Sequence, residues 1–457
     1  MPRLSNKKLI NDFTEGPIIG PLARFALPFM LSNALQVFYN LVDMLIVGRY
    51  MGKVGLASVI NAGKVFVFLT MISAGLSTSG QIYISQLIGQ KRTDALSTAI
   101  GTFFSTCLLI GCAASILGTT FSLDVLKLID VPPEALAGAH SYLMVCAAGT
   151  VFSFGYNMVS AVLRGMGDSM RPFLFVAIAS VANLLLDVLF IAGLGMGTFG
   201  AGLATIMGQA LSFVFAVVYL GRRKEDFHFD FKPRSFRIVP SVFRAQMRLG
   251  LPSAVRFAAI NISMIYVLKL VNGLGIAASA VFGIGIQVDD IVTKVTQGIM
   301  QASTAMVGQN YGARKFERIG KVMVSAWALS LGFYVVYTYF LLFHTEGLFG
   351  IFTDDAEVLA LAPVFAWTIV WQFPGLILMR GTNGFINGIG NARLSLLFGL
   401  LDGVVLRIGC SWALGTWMGL GLKGYVLGYG IACYGLCIPS IIYYLFFPWE
   451  RRSAVTR

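Results

Sequence analysis

Arg-Gly-Met-Gly-Asp-Ser, at Arg164–Ser169, returns in altered form as Asn-Gly-Ile-Gly-Asn-Ala at Asn387–Ala392. Gly165 and Gly388 hold the same place in the two copies and stand 223 residues apart. A second stretch behaves in the same way. Ser-Gln-Leu-Ile-Gly-Gln at Ser85–Gln90 matches Gly-Gln-Asn-Tyr-Gly-Ala at Gly308–Ala313, again at an offset of 223. Two separate segments sharing one offset point to an internal duplication. Near Pro28 and Pro252 the offset becomes 224, a one-residue slip early in each half.

The duplicated unit is apolar. Of the 457 residues, 57% are hydrophobic and 12% are charged, about half the charged share of a soluble domain. That leaves too little polar surface to cover a globule in water. A membrane-spanning helix needs about 20 mostly apolar residues, and about twelve such stretches can be marked by that rule. Their centres fall near Gln36, Leu69, Cys107, Cys146, Leu184 and Met207, then near Ile262, Thr293, Ser330, Ile369, Leu406 and Ile431. The runs are too long for barrel strands, and in lipid only helices or closed barrels satisfy the backbone. The expected fold is therefore an all-α integral membrane protein, with about twelve transmembrane helices in two six-helix lobes. Both members of each matched pair fall on the same side of the membrane, so the repeat is parallel, and such architectures work by alternating access.

Orientation follows from the basic residues. With the N-terminus inside, the inner segments hold about 23 of the 34 Lys and Arg, as the positive-inside rule asks. The expected divisions are a cytoplasmic tail at 1–21, a first lobe at 22–220, a cytoplasmic linker at 221–247, a second lobe at 248–448 and a cytoplasmic tail at 449–457. The opening residues lack an apolar core followed by a small-residue cleavage site, so no removable signal is expected. The net charge of +13 sits in these inner segments. It sets orientation at the bilayer and does not indicate nucleic acid. The six cysteines lie in apolar runs without metal or disulfide spacing. No P-loop is present, which excludes direct drive by ATP on this chain. The three scattered histidines form no Ser/His/Asp arrangement, so no enzyme and no cofactor are expected.

A charge in the hydrocarbon costs roughly 2.5–3.5 kcal/mol on insertion scales and needs a reason. In the first span Asn33, Gln36, Asn40 and Asp43 step by three or four along one helix face, with Tyr39 a turn before Asp43. Ser153, Asn157, Ser160 and Arg164 do the same in the fourth span, and Ser180, Asn183 and Asp187 in the fifth. Thr205 and Gln209 mark the sixth. Two carboxylates among neutral oxygens suit Na⁺ or a shared proton, since close and buried they cannot both stay charged alone. The alternative is helix–helix hydrogen bonding. The second half differs. Asp290 and Lys294 form an i, i+4 pair beside Asp289, and Arg256, Lys269, Arg380, Asp402 and Arg407 complete a set richer in cations. Internal ion pairing is the leading reading there, and a cavity for an anionic group the sharper one.

Leu35–Arg49 (Leu-Gln-Val-Phe-Tyr-Asn-Leu-Val-Asp-Met-Leu-Ile-Val-Gly-Arg), Val162–Ser169, Asn183–Asp187 (Asn-Leu-Leu-Leu-Asp) and Gly200–Thr205 (Gly-Ala-Gly-Leu-Ala-Thr) together resemble the multidrug and toxic compound extrusion (MATE) family. The chain is most similar to the DinF-like branch, from about Gly16 to Pro448. The resemblance implies two six-helix lobes in a V shape and a first helix bent at Pro28. It also implies a Na⁺ or H⁺ site at Asp43, Asn183, Asp187 and Thr205, with Gln36, Tyr39 and Asn157 near it. The implied activity is secondary active export of amphipathic organic compounds by a monomeric transporter in the plasma (inner) membrane, with both termini cytoplasmic. NorM-like members carry a Glu in the seventh span and an Asp in the tenth. Arg256–Asn261 and Trp371–Leu376 contain neither, which argues against a cation site in the second lobe. Arg256, Asp289, Asp290, Lys294, Arg380 and Arg407 are left as a second-lobe charge network. The rival reading is a flippase or exporter of a lipid-linked or anionic substrate within the same superfamily.

Overall fold

The computed structural model describes residues 10–224 and 229–456. Residues 1–9 of the expected N-terminal tail, residues 225–228 of the linker and Arg457 lie outside the described residues. Those described are helical, without strands.

The longest helical stretch, Ile19–Gly89, has 71 residues, far more than the 20 or so that one crossing needs. It is broken at Gly52, where φ is 63° and ψ is −166°, a conformation open to glycine and strained for other residues. The break yields two helices, α1 (19–51) and α2 (53–89). They are followed by α3 (Thr93–Thr120), then α4 (Pro133–Ala148 and Thr150–Gly165, bent by 47° at Gly149), α5 (Met170–Gly193) and α6 (Gly197–Arg222). The second half repeats the series as α7 (Pro240–Asn272), α8 (Ile276–Gly312), α9 (Phe316–Phe343), α10 (Ala356–Gly388), α11 (Ala392–Trp417) and α12 (Gly421–Phe446). With α1 and α2 taken as one stretch and the bent α4 as one span, eleven are long and apolar enough to cross a membrane, and the 71 residues of α1 and α2 suffice for two crossings. Each of the twelve expected centres falls within one of them, and the chain is a multi-pass membrane protein.

The repeat is visible in the backbone. Left-handed conformations recur at Lys91 and Arg314 (φ 57° and 58°) and at Gly167 and Gly390 (φ 87° and 73°). Both pairs keep the offset of 223. The break at Gly52 has its counterpart at Gly275, φ 107°. Side-chain packing repeats as well. A Cβ on Gly165 would lie 2.8 Å from that of Ile84, and one on Gly388 would lie 2.6 Å from that of Val307. Glycine at these two positions lets α4 approach α2, and α10 approach α8.

The chain forms two compact units. Among the described residues, one comprises 10–12, 31–224, 229–254 and 456, and the other 13–30 and 255–455. Lobes drawn at 22–220 and 248–448 therefore differ from these units at both starts. The chain passes into the first unit between Met30 and Leu31, two residues after Pro28. It passes into the second between Ala254 and Val255, two residues after Pro252. The reason is apolar packing. Leu22, Phe25, Ala26, Phe29 and Met30 are buried against Ile299, Met306, Ile319 and Phe385 of α8–α10 in the second unit. The start of α7 is held in the first unit, where Gln246 Nε2 donates to Cys107 Sγ at 3.8 Å and Gly250 faces Leu76. The two attachments match. A Cβ on Gly75 would lie 2.9 Å from Ala254 Cβ, and one on Gly298 would lie 2.6 Å from Met30 N. Gly75 and Gly298 are repeat mates at 223, and Met30 and Ala254 at 224.

Outward-facing positions remain apolar. Phe38, Leu45, Leu185, Ile265, Val335 and Trp371 are each more than half exposed. A water-soluble surface would not tolerate so many, whereas hydrocarbon does.

Candidate functional site

In the first unit the sequence-selected polar residues of α1, α5 and α6 meet. Asp187 closes the α-helical part of α5, Met170–Asp187, and a π-helical turn at Val188–Gly193 follows. Such turns break the regular ladder and are frequent at functional sites. The Asp187 side chain is fully buried. The Asp43 carboxyl of α1 comes near enough to Asp187 for the two to interact directly. Asp43 Oδ1, both carboxylate oxygens of Asp187 and Asn183 Nδ2 are buried and have no hydrogen-bond partner. Buried polar atoms are nearly always satisfied, so four such atoms on three neighbouring side chains make this group the candidate site of the first unit.

Beside the pair lies a cavity of about 40 Å³, walled by Gln36 and Tyr39 of α1, Tyr156 of α4, Ser180 and Asn183 of α5, and Thr205 and Gln209 of α6. At roughly 10–15 Å³ for each water-sized occupant, it has room for a few waters or a small ion. Thr205 Oγ1 donates to Ala201 O at 3.0 Å, so its hydroxyl proton is committed to the backbone. A Cβ on Gly208 would lie 3.2 Å from Ala179 O, so glycine there lets α6 close against α5. Asn157 stands apart from the wall, where its Nδ2 donates to Ser73 Oγ at 3.2 Å. Arg164 Nε donates to Gln81 Oε1 at 3.1 Å.

Two tyrosines escaped the sequence reading. Tyr156 lines the cavity, and the Tyr142 hydroxyl meets Thr205 and Cys146. Tyr142 lies eleven residues before Ser153, about three helical turns, so the stripe of Ser153 and Asn157 continued back past Gly149 reaches it. Tyr156 lies directly before Asn157, off that stripe.

The second unit is electrically different. Lys294 and Asp290 pair at 2.6 Å on a half-exposed face. Arg407 Nη2 pairs with Asp402 Oδ1 at 3.1 Å in the interior, and its guanidinium lies 4.6 Å from the centroid of the Tyr429 ring. The other expected members use neutral partners. Asp289 Oδ2 accepts from Gln372 Nε2 at 3.2 Å. Arg256 Nη1 donates to Asn383 Oδ1 at 3.1 Å. Arg380 Nη2 donates to Tyr334 Oη at 3.0 Å and to Thr293 O at 3.1 Å. Arg256, Asp289, Arg380 and Asp402 are each at most 3% exposed.

The family model MatE matches residues 28–189 and, a second time, residues 252–412. The chain belongs to the MatE family. The double match repeats the offset found in the sequence, with one copy of the family pattern in each half. MatE proteins are transporters, so this member is a transporter and not an enzyme. It is 27% identical over 449 residues to the probable multidrug resistance protein YpnP of Bacillus subtilis, covering 97% of this chain and 99% of the relative. It is 26% identical over 449 residues to a probable multidrug resistance protein NorM of Thermotoga maritima, covering 95% and 94%. An outward-facing multidrug resistance MATE transporter of the MOP superfamily shares its fold with a TM-score of 0.88 at 23% identity, over 95% of this chain and 96% of that one. A MOP superfamily transporter from Pyrococcus furiosus, described as having a binding pocket of reversed polarity, has a TM-score of 0.88 at 22% identity with the same coverage.

Proposed function

We propose that this MatE protein is a cation-coupled antiporter that exports amphipathic organic compounds across the plasma membrane, with its termini on the cytoplasmic side. The observation that carries the reading is the Asp43–Asp187 pair, whose buried oxygens lack partners beside a small polar cavity. Two uncompensated carboxylates in hydrocarbon are untenable. The pair takes up Na⁺, with Asn183 and Thr205 supplying further oxygens, or one carboxyl holds a proton. Either occupant comes from the external supply, and its arrival changes the charge on which α1 and α5 pack. The names of the relatives, multidrug resistance proteins spanning nearly the same length, support organic compounds as substrates.

The driving force suffices. One charge crossing 150 mV yields about 3.5 kcal/mol, which sustains roughly a 300-fold substrate gradient. The test is dye movement in proteoliposomes under a Na⁺ gradient or a pH gradient imposed separately. Gradient-driven movement that Asp43→Asn abolishes supports the reading, and the effective gradient names the ion. Unchanged transport in Asp43→Asn overturns the assignment of the coupling site.

A further inference from the structure

We propose that the second unit binds a single-chain amphiphile with a negatively charged headgroup, its alkyl chain lying in a cleft between α8 and α9 and its headgroup directed to Tyr337 and Arg380. The proposal deepens the transport reading by naming a substrate class, and it stands on two independent observations.

The first is the cleft. About 640 Å³ of open space is walled by Val288, Val292 and Val295 of α8 and by Phe333, Val336 and Phe340 of α9. The three α9 residues are 44–57% exposed, so the cleft opens at the surface of the second unit. Gly332 lies on this wall with no atom within 4 Å of where a Cβ would stand. Among the lining side chains only Tyr337 carries a polar atom, and its hydroxyl is buried without a partner.

The second observation is the charge behind that hydroxyl. Tyr334 precedes Tyr337 by three residues, and both rings pack on Phe373, at 5.5 and 5.1 Å between centroids. The Tyr334 hydroxyl accepts from Arg380, whose other recorded acceptor is the carbonyl of Thr293, next in sequence to the lining residue Val292. Arg380 Nε and Arg256 Nε have no partner. Among the described residues no carboxylate lies within 4 Å of either guanidinium. Asp289, adjacent to Val288, interacts with Arg380 through space, and it accepts from Gln372. Across the buried cluster three guanidiniums (Arg256, Arg380 and Arg407) stand against two carboxylates (Asp289 and Asp402), while Lys294 and Asp290 neutralise each other. Arginine does not deprotonate in a protein, so one positive charge is left over in the interior. An apolar cleft, one free hydroxyl donor and one surplus cation complement an alkyl chain ending in one negative charge. A neutral molecule leaves the surplus standing and a cationic one adds to it. A phospholipid has two chains for a single cleft.

The full-length protein in nanodiscs is photolabelled with a diazirine-bearing palmitic acid, with its methyl ester, and with phosphatidylglycerol carrying the same diazirine on one acyl chain. Adducts are mapped by mass spectrometry. The acid is expected to label the α8–α9 cleft at least about tenfold more than the ester, the factor that one hydrogen bond to a charged group supplies. Arg380→Gln reduces the acid to the level of the ester. Gly332→Leu, whose Cβ would enter open space on the cleft wall, removes the adducts, and it carries the test if Arg380→Gln does not fold. Equal labelling by acid and ester, adducts that persist in Gly332→Leu, or cleft labelling by phosphatidylglycerol as strong as by the acid each overturns the proposal. Dye transport measured on the same preparation separates the two readings. Active dye transport without cleft labelling overturns only this inference. Cleft labelling without gradient-driven dye transport overturns only the coupled-transport reading.

Discussion

The two units share a backbone pattern and carry opposite electrical loads. In the first, Asp43 and Asp187 meet among neutral oxygens, and three of their four carboxylate oxygens are buried without a hydrogen-bond partner. In the second, Arg256, Arg380 and Arg407 outnumber Asp289 and Asp402, and only Arg407 has an ion-pair partner inside. Duplication supplied one scaffold twice, and the polar residues placed on it diverged. The difference teaches that architecture and charge are separable here. Glycine contacts such as Gly165–Ile84 and Gly388–Val307 hold the helices in both units, and the ionisable groups are free to define distinct tasks.

The largest effect expected from breaking this asymmetry is on transport. Asp43→Asn should collapse the steady-state substrate gradient from roughly 300-fold to near unity, whereas Asp289→Asn should leave most of it, as read by dye accumulation in proteoliposomes. Equal loss in both variants would erase the distinction between the units. The next effect is on stability. Arg407→Gln strands Asp402 in the interior and should cost about 3–5 kcal/mol, while the double change Arg407→Met with Asp402→Leu recovers most of that. Unfolding of the detergent-solubilised variants measures both. Smaller and equal effects are expected at the two glycine attachments. Gly75→Val and Gly298→Val should each destabilise by about 1–3 kcal/mol through overpacking, and clearly unequal losses would show that the repeat is not energetically even. The smallest effect belongs to Lys294→Gln. That pair is 48% and 37% exposed, and its loss should change stability by less than about 1 kcal/mol.

Much of this was legible from residue order alone. The twelve spans follow from apolar length, and the duplication from Gly165/Gly388 and Gly89/Gly312. Stripes of period 3.6 single out Asp43, Asn183 and Asp187 within their spans, and the resemblance to the MATE family implies that they and Thr205 form one site. Three features were not legible, each for a physical reason. Asp402 and Arg407 are five residues apart, a spacing that does not share a face in an α-helix. Leu401–Leu406 is π-helical, and its i→i+5 hydrogen bonding brings the two together. Tyr156 lies directly before Asn157 and so off the polar stripe of the fourth span, although it lines the cavity. The transfer of 13–30 to the second unit depends on which apolar surfaces Phe25 and Phe29 find, and pattern along one helix does not name its partner.

That transfer bears on how such a chain could have arisen. Each unit is completed by a segment from the other half, 13–30 in one case and 240–254 in the other. A half-length ancestor folded on this plan would have left Phe25 and Phe29 without their seat. It would have been whole only as a pair of copies that exchanged their leading helices, as domain-swapped dimers do. Fusion of two such genes would make the exchange intramolecular and would let each copy change its charges without obliging the other to follow.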